Sequence, residues 1–318
     1  MQSIEFCAGA GGQALGLEQA GFHHSALIEI EPDFCKTLRL NRPQWDVRAE
    51  DMNLFDGRAF KGMDLLAGGL PCPPFSIAGK QLGENDERNL FPAAIRLVDE
   101  IKPKAVMIEN VKGFLSPVFE EYRLQLKKQF EKLGYRIDWR LLNASDFGVP
   151  QLRPRVVIVA LRKELVDAFD WPDVRPHNPA TVGETLKDLL AANGWRGTEL
   201  WSRRANDIAP TIVGGSKKHG GPDLGPTRAR AAWAALGVEG RSLAEAAPDP
   251  DFVGMPRLTV KMVARIQGFP DDWQFFGRKT TAYRQVGNAF PPPVAKAVAS
   301  QLRIALSLQK HFAISSVA

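Results

Sequence analysis

Short apolar runs alternate with helical patterns over residues 1–165, and this alternation constrains the fold more than any other feature. The apolar runs predict strands at Ser3–Ala8, Ala26–Ile30, Asp46–Arg48, Met63–Ala67, Ala105–Ile108, Tyr135–Leu142 and Val156–Leu161. Helical patterns lie between them, at 13–20, 33–40, 90–101 and 121–133. Strands separated by helices form a mostly parallel sheet that is covered by helices on both faces. The sequence therefore predicts a three-layer α/β fold.

A glycine-rich turn, Gly9-Ala10-Gly11-Gly12, connects the first strand to the first helix. Glycines at this position allow a ligand to approach the backbone and the helix N-terminus, as in nucleotide-binding sheets. Glu29 follows about twenty residues later, where an acidic side chain can hold ribose hydroxyls. A carboxylate that caps a helix or lies on the surface is the alternative for Glu29.

A cysteine between prolines follows the fourth predicted strand, in Gly68-Gly69-Leu70-Pro71-Cys72-Pro73-Pro74-Phe75-Ser76. The prolines restrict the backbone on both sides of Cys72. A nucleophile held at the carboxyl end of a parallel strand needs such a turn. A small buried thiol in a turn is the alternative.

Two further polar groups lie close to strand ends. Glu109-Asn110-Val111 follows Ala105–Ile108, so Glu109 is expected at the same sheet edge as Cys72. Gln151-Leu152-Arg153-Pro154-Arg155 lies between the last two predicted strands. Residues 77–89 are polar, without a clear period, and predict a mobile lid.

After about Lys163 the chain becomes irregular and rich in proline and glycine. Ile208–Val213 predicts one strand, and 214–222 predicts an exposed basic loop with arginines and tryptophans on either side. Lysine, arginine and glycine in such a loop suit contact with a phosphate backbone, although a solvated loop is the alternative. Helices are predicted again from Arg257 or Thr259 to Gln267, with Thr259 as a cap, and from Pro293 to about Leu306.

Composition excludes several other classes of protein. A net charge of +5 and a pI near 9.1 give only a weak indication of an anionic partner. The three cysteines lack a C-x-x-C pair, so we expect neither a disulfide framework nor a metal site. No apolar run approaches a membrane span and no signal peptide precedes the first strand, so we expect a cytoplasmic protein that does not bind membranes.

These motifs, in this order, resemble those of the bacterial restriction–modification DNA (cytosine-5)-methyltransferases. The resemblance covers nearly the whole chain and rests on the Ala8–Gly12 turn, Pro71-Cys72, Glu109-Asn110-Val111, 151–155 and Gln285-Val286-Gly287-Asn288. It implies the Rossmann-like sheet of S-adenosylmethionine-dependent methyltransferases. It also implies a catalytic and cofactor-binding domain formed by 1–165 and 256–318, with an irregular target-recognition domain at 166–255.

The resemblance implies a catalytic role for four residues. Cys72 would add to C6 of a cytosine that is flipped out of double-stranded DNA, which makes C5 nucleophilic. Glu109 would hold N3 and the exocyclic amine, and Arg155 would contact O2. Arg153 would help to orient the base and the thiol.

The resemblance also assigns binding residues. S-adenosylmethionine, which leaves as S-adenosylhomocysteine, would have its methionine end at the glycine turn, its ribose at Glu29 and its adenine amine at Asp51. The full set implied for the cofactor is Cys7, Ala8, Gly9, Ala10, Gly11, Gly12, Glu29, Ile30, Asp51, Met52, Pro71, Leu90, Asn288 and Ala289. The set implied for DNA is Ser76, Lys80, Arg88, Gly214, Gly215, Ser216, Lys217, Lys218 and His219.

Three positions depart from the family pattern. Cys7 stands where phenylalanine is usual, Ile30 where an aromatic residue often stacks on adenine, and Pro73 where glutamine is commoner. The first two predict weaker adenine packing, and the third removes a polar group near the DNA.

Three rival functions remain open from the sequence. They are a tRNA cytosine-5 methyltransferase, a catalytically silent DNA-binding member of the family, and a nicotinamide-dependent oxidoreductase with the same first strand–turn–helix. The long basic segment between Leu165 and Met255 favours duplex DNA. The resemblance further implies that the protein is a monomer, and it allows a separate cognate restriction endonuclease. The DNA site that the protein recognises cannot be read from the sequence.

Overall fold

A seven-stranded sheet forms the centre of the molecule. The structure is a computed structural model that describes residues 1–71, 89–174, 179–215 and 221–315. For residues 309–315 it describes the backbone alone. The strands are β1 Gln2–Phe6, β2 His23–Ile28, β3 Val47–Arg48, β4 Leu65–Gly69, β5 Ala105–Val111, β6 Tyr135–Asn143 and β7 Pro154–Arg162. Their order in the sheet is β3-β2-β1-β4-β5-β7-β6.

The first five strands run parallel, and β7 runs antiparallel to both β5 and β6. The prediction of a mostly parallel α/β sheet is therefore confirmed. Because β1 lies at the centre with crossovers to both sides, the carboxyl ends of β1 and β4 form the crevice in which doubly wound sheets bind ligands.

The described helices are α1 Gly12–Gln19, α2 Pro32–Asn41, α3 Phe91–Ile101, α4 Glu120–Lys132, α5 Val182–Leu190, α6 Thr198–Arg204, α7 Thr227–Ala235, α8 Val260–Ile266, α9 Lys279–Asn288 and α10 Pro292–Ser315. The oxygen Oγ1 of Thr259 accepts a hydrogen bond from the Met262 amide at 3.2 Å, which confirms the predicted cap of α8. Helix α10 continues beyond its predicted end near Leu306. Helix α9 was missed by the sequence analysis.

Two apolar layers sandwich the sheet. On one face, strand residues such as Ile4, Val106 and Ile158 form a core with α3 and α4. On the other face, strand residues that include Ala67 and Met107 form a core with Leu17 of α1 and the apolar side of α10. Alternation along each strand produces this division, since successive side chains point to opposite faces.

The C-terminal helix packs closely on the first helix. A Cβ atom at Gly16 of α1 would lie 2.5 Å from Cβ of Ala295 and 2.6 Å from the Pro292 carbonyl oxygen, so the small residue permits the contact. This contact agrees with a return of the chain's end to its N-terminal half. The division into domains at 165 and 256 stays a prediction.

One expectation for the irregular region is wrong. Residues 208–213 form no strand ladder, and their one β-bridge in the described chain joins Ala209 to Gln151. Pro210 explains this, because proline lacks the N–H that a ladder requires. The tryptophans of the region, Trp195, Trp201 and Trp233, are buried in a core with α5 and α8.

Candidate active site

A buried ion pair lies where β4 and β5 end and the antiparallel strand β7 begins. Glu109 of β5 pairs with Gly69 of β4, and Arg155, the second residue of β7, lies opposite Val111. The nitrogen Nε of Arg155 lies 2.8 Å from Oε1 of Glu109, and only 14% of the Arg155 side chain and 7% of the Glu109 side chain are exposed. Two of the four side chains with a predicted catalytic role are thus brought into direct contact.

Neighbouring strand residues set the direction of the Glu109 side chain. Ile108 belongs to the core beneath α3 and α4, and Met107 belongs to the core beneath α1 and α10. Glu109 therefore points to the α1 side of the sheet. Its Oε2 would lie 3.8 Å from a Cβ atom at Gly69, so the glycine leaves open space at the base of the Pro71 turn.

Burial raises the pKa of Glu109 above its ordinary value, and the guanidinium groups of Arg155 and Arg153 offset this only in part. A carboxyl group in such surroundings holds its proton at a higher pH than one in water. Glu109 is thereby suited to donate a hydrogen bond or a proton, while Arg155 beside it provides a fixed positive charge.

Arg153 is fully buried and binds backbone carbonyls. Its Nη1 donates to Ile212 O at 2.7 Å, and its Nη2 donates to Gly287 O at 2.8 Å and to Ala289 O at 3.1 Å. These contacts tie the start of β7 to the segment before the basic loop and to the end of α9. The predicted catalytic role of Arg153 stays a prediction, and these bonds are those of a positioning residue.

Two buried glutamines extend the same network. Nε2 of Gln151 donates to Oε1 of Gln267 at 2.7 Å, and Oε1 of Gln151 accepts from the Ile212 amide at 2.9 Å. Nε2 of Gln267 donates to Ala289 O at 2.5 Å. The segments around 151, 212, 267 and 289 are consequently fixed to one another by buried hydrogen bonds, which are strong in the low dielectric of the interior.

The glycine turn has the strained backbone that glycine supports. Gly9 and Gly11 have φ angles of 56° and 87°, and Cys7 has a φ of 54°, which a non-glycine residue seldom adopts. Among the described residues, a Cβ atom at Gly9 would meet nothing nearer than Cys7 O at 4.0 Å. The described part of the chain therefore leaves space for a ligand beside Gly9.

Glu29 supports the turn from the next strand. Its two carboxylate oxygens accept hydrogen bonds from the Gly9 amide at 2.7 Å and the Glu31 amide at 2.8 Å. Burial raises the pKa of Glu29 and these backbone hydrogen bonds lower it, with burial the larger effect. Glu29 thus has a local role at the start of α2, and each oxygen keeps a lone pair for a ligand hydroxyl.

Apolar and polar groups at the ends of β2 and β3 suit an adenosine. Ile30 is 60% exposed and Leu54 is 85% exposed, although both are large apolar residues. Sγ of Cys7 lies 3.8 Å from Sδ of Met52. Oδ1 of Asp51 accepts from the Asn53 amide at 2.8 Å. These apolar side chains and the Asp51 carboxylate fit the adenosine of the predicted cofactor. Leu54 is an exposed residue that the sequence analysis missed.

The C-terminal residues of the predicted cofactor set lie beside the glycine turn. A Cβ atom at Gly12 would meet Phe290 O at 2.2 Å and Cβ of Ala289 at 3.2 Å. Indole Nε1 of Trp273 donates to Ala10 O at 3.2 Å, a contact with no sequence signal beyond the aromatic residue itself. The amide of Asn288 donates to Gly215 O at 3.2 Å, which links it to the predicted DNA loop.

Several predicted residues lie outside the described ranges. They are Cys72, Ser76, Lys80 and Arg88 of the turn and lid, and Ser216, Lys217, Lys218 and His219 of the basic loop. Pro71 and Leu90, which border the first gap, are exposed and half-buried respectively. Among the residues that the structure does describe, no cluster of histidine, cysteine and carboxylate side chains could hold a metal ion, and no helix could span a membrane.

The β1–α1 unit also contains buried polar groups that the sequence analysis missed. Glu5 of β1 and Gln13 of α1 are 0% and 3% exposed, and neither side chain has a hydrogen-bond partner within the part of the chain that the structure describes. Their positions inside an apolar pattern were the available signal.

The chain is similar to known proteins over nearly its whole length. The family model described as C-5 cytosine-specific DNA methylase matches residues 1–303. Type II methyltransferase M.NgoMIV of Neisseria gonorrhoeae is 57% identical over 96% of this chain and 97% of its own length. Type II methyltransferase M.NaeI of Lentzea aerocolonigenes is 55% identical over 97% of this chain and 76% of its own length.

Solved structures share the fold. A prophage-encoded candidate DNA modification methyltransferase of E. coli superposes with a TM-score of 0.68 at 23% identity, covering 96% of this chain and 99% of its own. The S. pombe Dnmt2 methyltransferase gives a TM-score of 0.61 at 18% identity, covering 98% of this chain and 99% of its own. Since a family model covers nearly the whole sequence, the chain is an enzyme that belongs to the family of C-5 cytosine-specific DNA methylases.

Proposed function

We propose that this enzyme transfers a methyl group from S-adenosylmethionine to C5 of a cytosine flipped out of a specific double-stranded DNA site. The observation that supports this most directly is the buried Glu109–Arg155 pair at the sheet edge where the Pro71 turn begins. A pyrimidine that receives electrons during nucleophilic attack needs a proton donor and a positive charge side by side. Glu109 and Arg155 provide both.

Cys72 is the nucleophile of the proposed reaction. Its thiolate adds to C6, and the electrons of the C5–C6 double bond become available at C5. Glu109 hydrogen-bonds N3 and the exocyclic amine, and Arg155 stabilises the charge on O2. After methylation at C5, loss of the C5 proton and elimination of the Cys72 thiolate restore the aromatic ring. Arg153 holds the strand from which Arg155 projects.

In this proposal the cofactor binds at the carboxyl ends of β1, β2 and β3. Gly9–Gly12 receive its methionine end, Glu29 its ribose and Asp51 its adenine amine, with Ile30 and Met52 in apolar contact. Cys7, Ala8, Pro71, Leu90, Asn288 and Ala289 complete the proposed set. When bound, S-adenosylmethionine supplies an electrophilic methyl group on a sulfonium ion.

Duplex DNA is the proposed substrate, and the base must leave the helix to reach Glu109. Flipping costs a few kcal/mol, which contacts with the phosphate backbone offset. A net charge of +5 favours such contacts. We place Gly214 and Gly215 beside the DNA, with 216–219 and 76–88 as further contacts. We further propose that the enzyme acts as a monomer in a restriction–modification system with a separate endonuclease.

Trapping with a modified substrate tests the nucleophile. A duplex that contains 5-fluorocytosine at the target position should form an adduct that survives denaturation, because fluorine at C5 cannot leave as a proton does. Cys35→Ala, which removes a buried thiol, should still form the adduct, and Cys72→Ala should not. An adduct with Cys72→Ala would show that the nucleophile is misassigned.

The rival tRNA activity is tested by substrate choice. Plasmid DNA and tRNA are each incubated with the enzyme and methyl-labelled S-adenosylmethionine, and we expect label in DNA alone. Label only in tRNA would overturn the DNA substrate, and absence of transfer to both would favour a silent member of the family. Sequencing of the labelled plasmid for 5-methylcytosine then gives the recognised site.

A further inference from the structure

Gln13 is a buried polar side chain whose amide has no hydrogen-bond partner among the described residues. It is the second residue of α1 and is 3% exposed. Both Oε1 and Nε2 are buried without a hydrogen-bond partner. A buried amide that loses its hydrogen bonds to water and gains none destabilises the folded protein, so such a group calls for a ligand or a bound water.

The geometry of α1 places this amide at the carboxyl edge of the sheet. Leu17, one turn further along the same helix face, belongs to the core that contains Leu65 and Ala67 of β4. In a strand–helix unit the helix begins at the carboxyl end of its strand, and helical side chains tilt toward the helix N-terminus. Gln13 therefore covers the Gly9–Gly12 turn from the side of β4.

The surroundings favour an amino-acid group as the partner. The N-cap of α1, Gly11, has a left-handed backbone and no capping side chain. The first N–H groups of a helix that lacks a cap bind anions such as carboxylates. Glu29, by contrast, already uses both oxygens on backbone amides. A primary amide that can donate from Nε2 and accept at Oε1 complements a carboxylate and an ammonium group on one carbon atom.

We propose that Gln13 binds the α-amino-carboxylate end of the cofactor, with Nε2 donating to its carboxylate and Oε1 accepting from its ammonium group. This inference rests on the proposed binding of S-adenosylmethionine. It adds a recognition element for the amino-acid portion to the glycine backbone that the motif supplies. It also explains the orphaned amide: the side chain is unsatisfied without the cofactor and satisfied with it.

Fragments of the cofactor separate this role from general packing. S-adenosylhomocysteine carries the amino-acid end, and 5′-deoxy-5′-methylthioadenosine lacks it while keeping the adenosine and the sulfur. Their dissociation constants are measured by calorimetry for the wild type, Gln13→Met and Gln19→Met. Gln19 is exposed on the same helix, so its replacement is a matched control.

Gln13→Met should raise the dissociation constant of S-adenosylhomocysteine by about tenfold or more, since hydrogen bonds to charged groups are lost. The dissociation constant of methylthioadenosine should change by less than about twofold. The ligand-free variant should melt at a higher temperature than the wild type, because the orphaned amide is gone. Gln19→Met should change neither affinity. Gln13→Glu keeps an acceptor but adds a negative charge near the carboxylate of the ligand. It should therefore also weaken the binding of S-adenosylhomocysteine more than that of methylthioadenosine.

Equal weakening of both ligands, or unchanged binding of both, would overturn the role of Gln13. A lower melting temperature of ligand-free Gln13→Met would do the same, because it would show that the amide stabilises the protein without the cofactor. If the wild type binds neither ligand, the proposed cofactor itself fails, and that result is distinct because it appears before any variant is compared.

Discussion

At the residue scale, two opposing effects act on the pKa of Glu109. Burial favours its neutral form, and Arg155 at 2.8 Å favours its charged form, with burial the stronger of the two. The raised pKa keeps a larger protonated fraction toward neutral pH than an exposed glutamate would have. The same contact keeps Arg155 fixed, so in the proposed reaction one pair supplies both a proton and a positive charge.

Glu109→Gln should reduce kcat by about 10²–10⁴-fold, since a glutamine amide can hydrogen-bond the base but cannot transfer a proton. The wild-type rate should fall as pH rises through the raised pKa of Glu109, because the group must be protonated to act. Single-turnover rates with target duplex at several pH values measure both effects. The variant should bind the duplex as the wild type does. A variant that retains the alkaline decline would assign that decline to another group.

His24 is a second buried titratable residue, and it has a structural role. Its ring nitrogens lie 3.0 Å from Oγ of Ser3 and 3.0 Å from the Ala14 carbonyl oxygen, and burial lowers its pKa to about 4. These bonds make His24 a core residue. It joins β1 and β2 to α1 beneath the glycine turn.

Stability should therefore fall in acid through His24. The unfolded chain binds a proton on this residue below about pH 6.5, whereas the folded protein does so only near pH 4. The stabilising contribution is complete above pH 6.5 and is lost as pH falls toward 4, by up to about 3 kcal/mol. Urea unfolding of the wild type and His24→Gln across this range measures it, with the variant showing a smaller slope. Parallel slopes would show that other groups cause the acid dependence.

At the scale of elements, α9 and the base of the basic loop touch through two glycines. A Cβ atom at Gly287 would lie 2.4 Å from Cα of Gly214, and a Cβ atom at Gly214 would lie 2.6 Å from Oδ1 of Asn288. The family resemblance rests in part on the Gln285–Asn288 motif, and it assigns Asn288 to the cofactor. The structure adds that its glycine is required by the close approach of 213–215.

Gly287→Ala should destabilise the protein by about 1–3 kcal/mol, because the clash is with backbone and cannot be relieved by a rotamer change. It should also weaken binding of target duplex, since the loop base must shift. Gly221→Ala is the matched control at the other end of the loop, where the described residue nearest to the new Cβ is Asp223, with its carboxylate at 3.2 Å. Melting temperature and fluorescence anisotropy report the two quantities. Equal effects of the two substitutions would contradict the backbone contact.

The sequence predicted elements where their own residues determine them. Apolar runs such as Ala105–Ile108 identified the strands, and Thr259 identified the start of α8, because periodicity and capping are local. Helix α9 was missed since its buried face, which includes Tyr283 and Val286, packs on residues distant in sequence. The partners of Arg153, and the orphaned amide of Gln13, depend on tertiary neighbours that no local pattern reveals.

At the scale of the whole molecule, the buried polar network connects the sheet to the recognition segment and to the C-terminal helices. Arg153 bonds to carbonyls at 212, 287 and 289, and Gln151 and Gln267 bond to neighbouring positions of the same segments. Position 153 lies two residues before Arg155 on the same stretch of chain. A change in the network should thus alter the active site and the DNA-binding surface together.

Arg153→Lys tests this connection while keeping the charge. Lysine is a point donor without the planar fork, so it cannot bond to Ile212 O, Gly287 O and Ala289 O in the same geometry. We expect a loss of about 2–4 kcal/mol in the free energy of unfolding, since a buried charge is left with too few partners. Arg140→Lys, at an exposed position of β6, serves as the control for the chemical change.

Folded Arg153→Lys protein should show both a lower kcat and a weaker affinity for the duplex. Substitution of Arg155, in contrast, should lower kcat with little effect on the affinity for the duplex. Single-turnover kinetics and anisotropy titrations at one salt concentration separate the two patterns. If Arg153→Lys lowers kcat alone, Arg153 acts at the base and not through the network. If stability, affinity and kcat all fall, the network is what aligns the recognition segment with the catalytic edge.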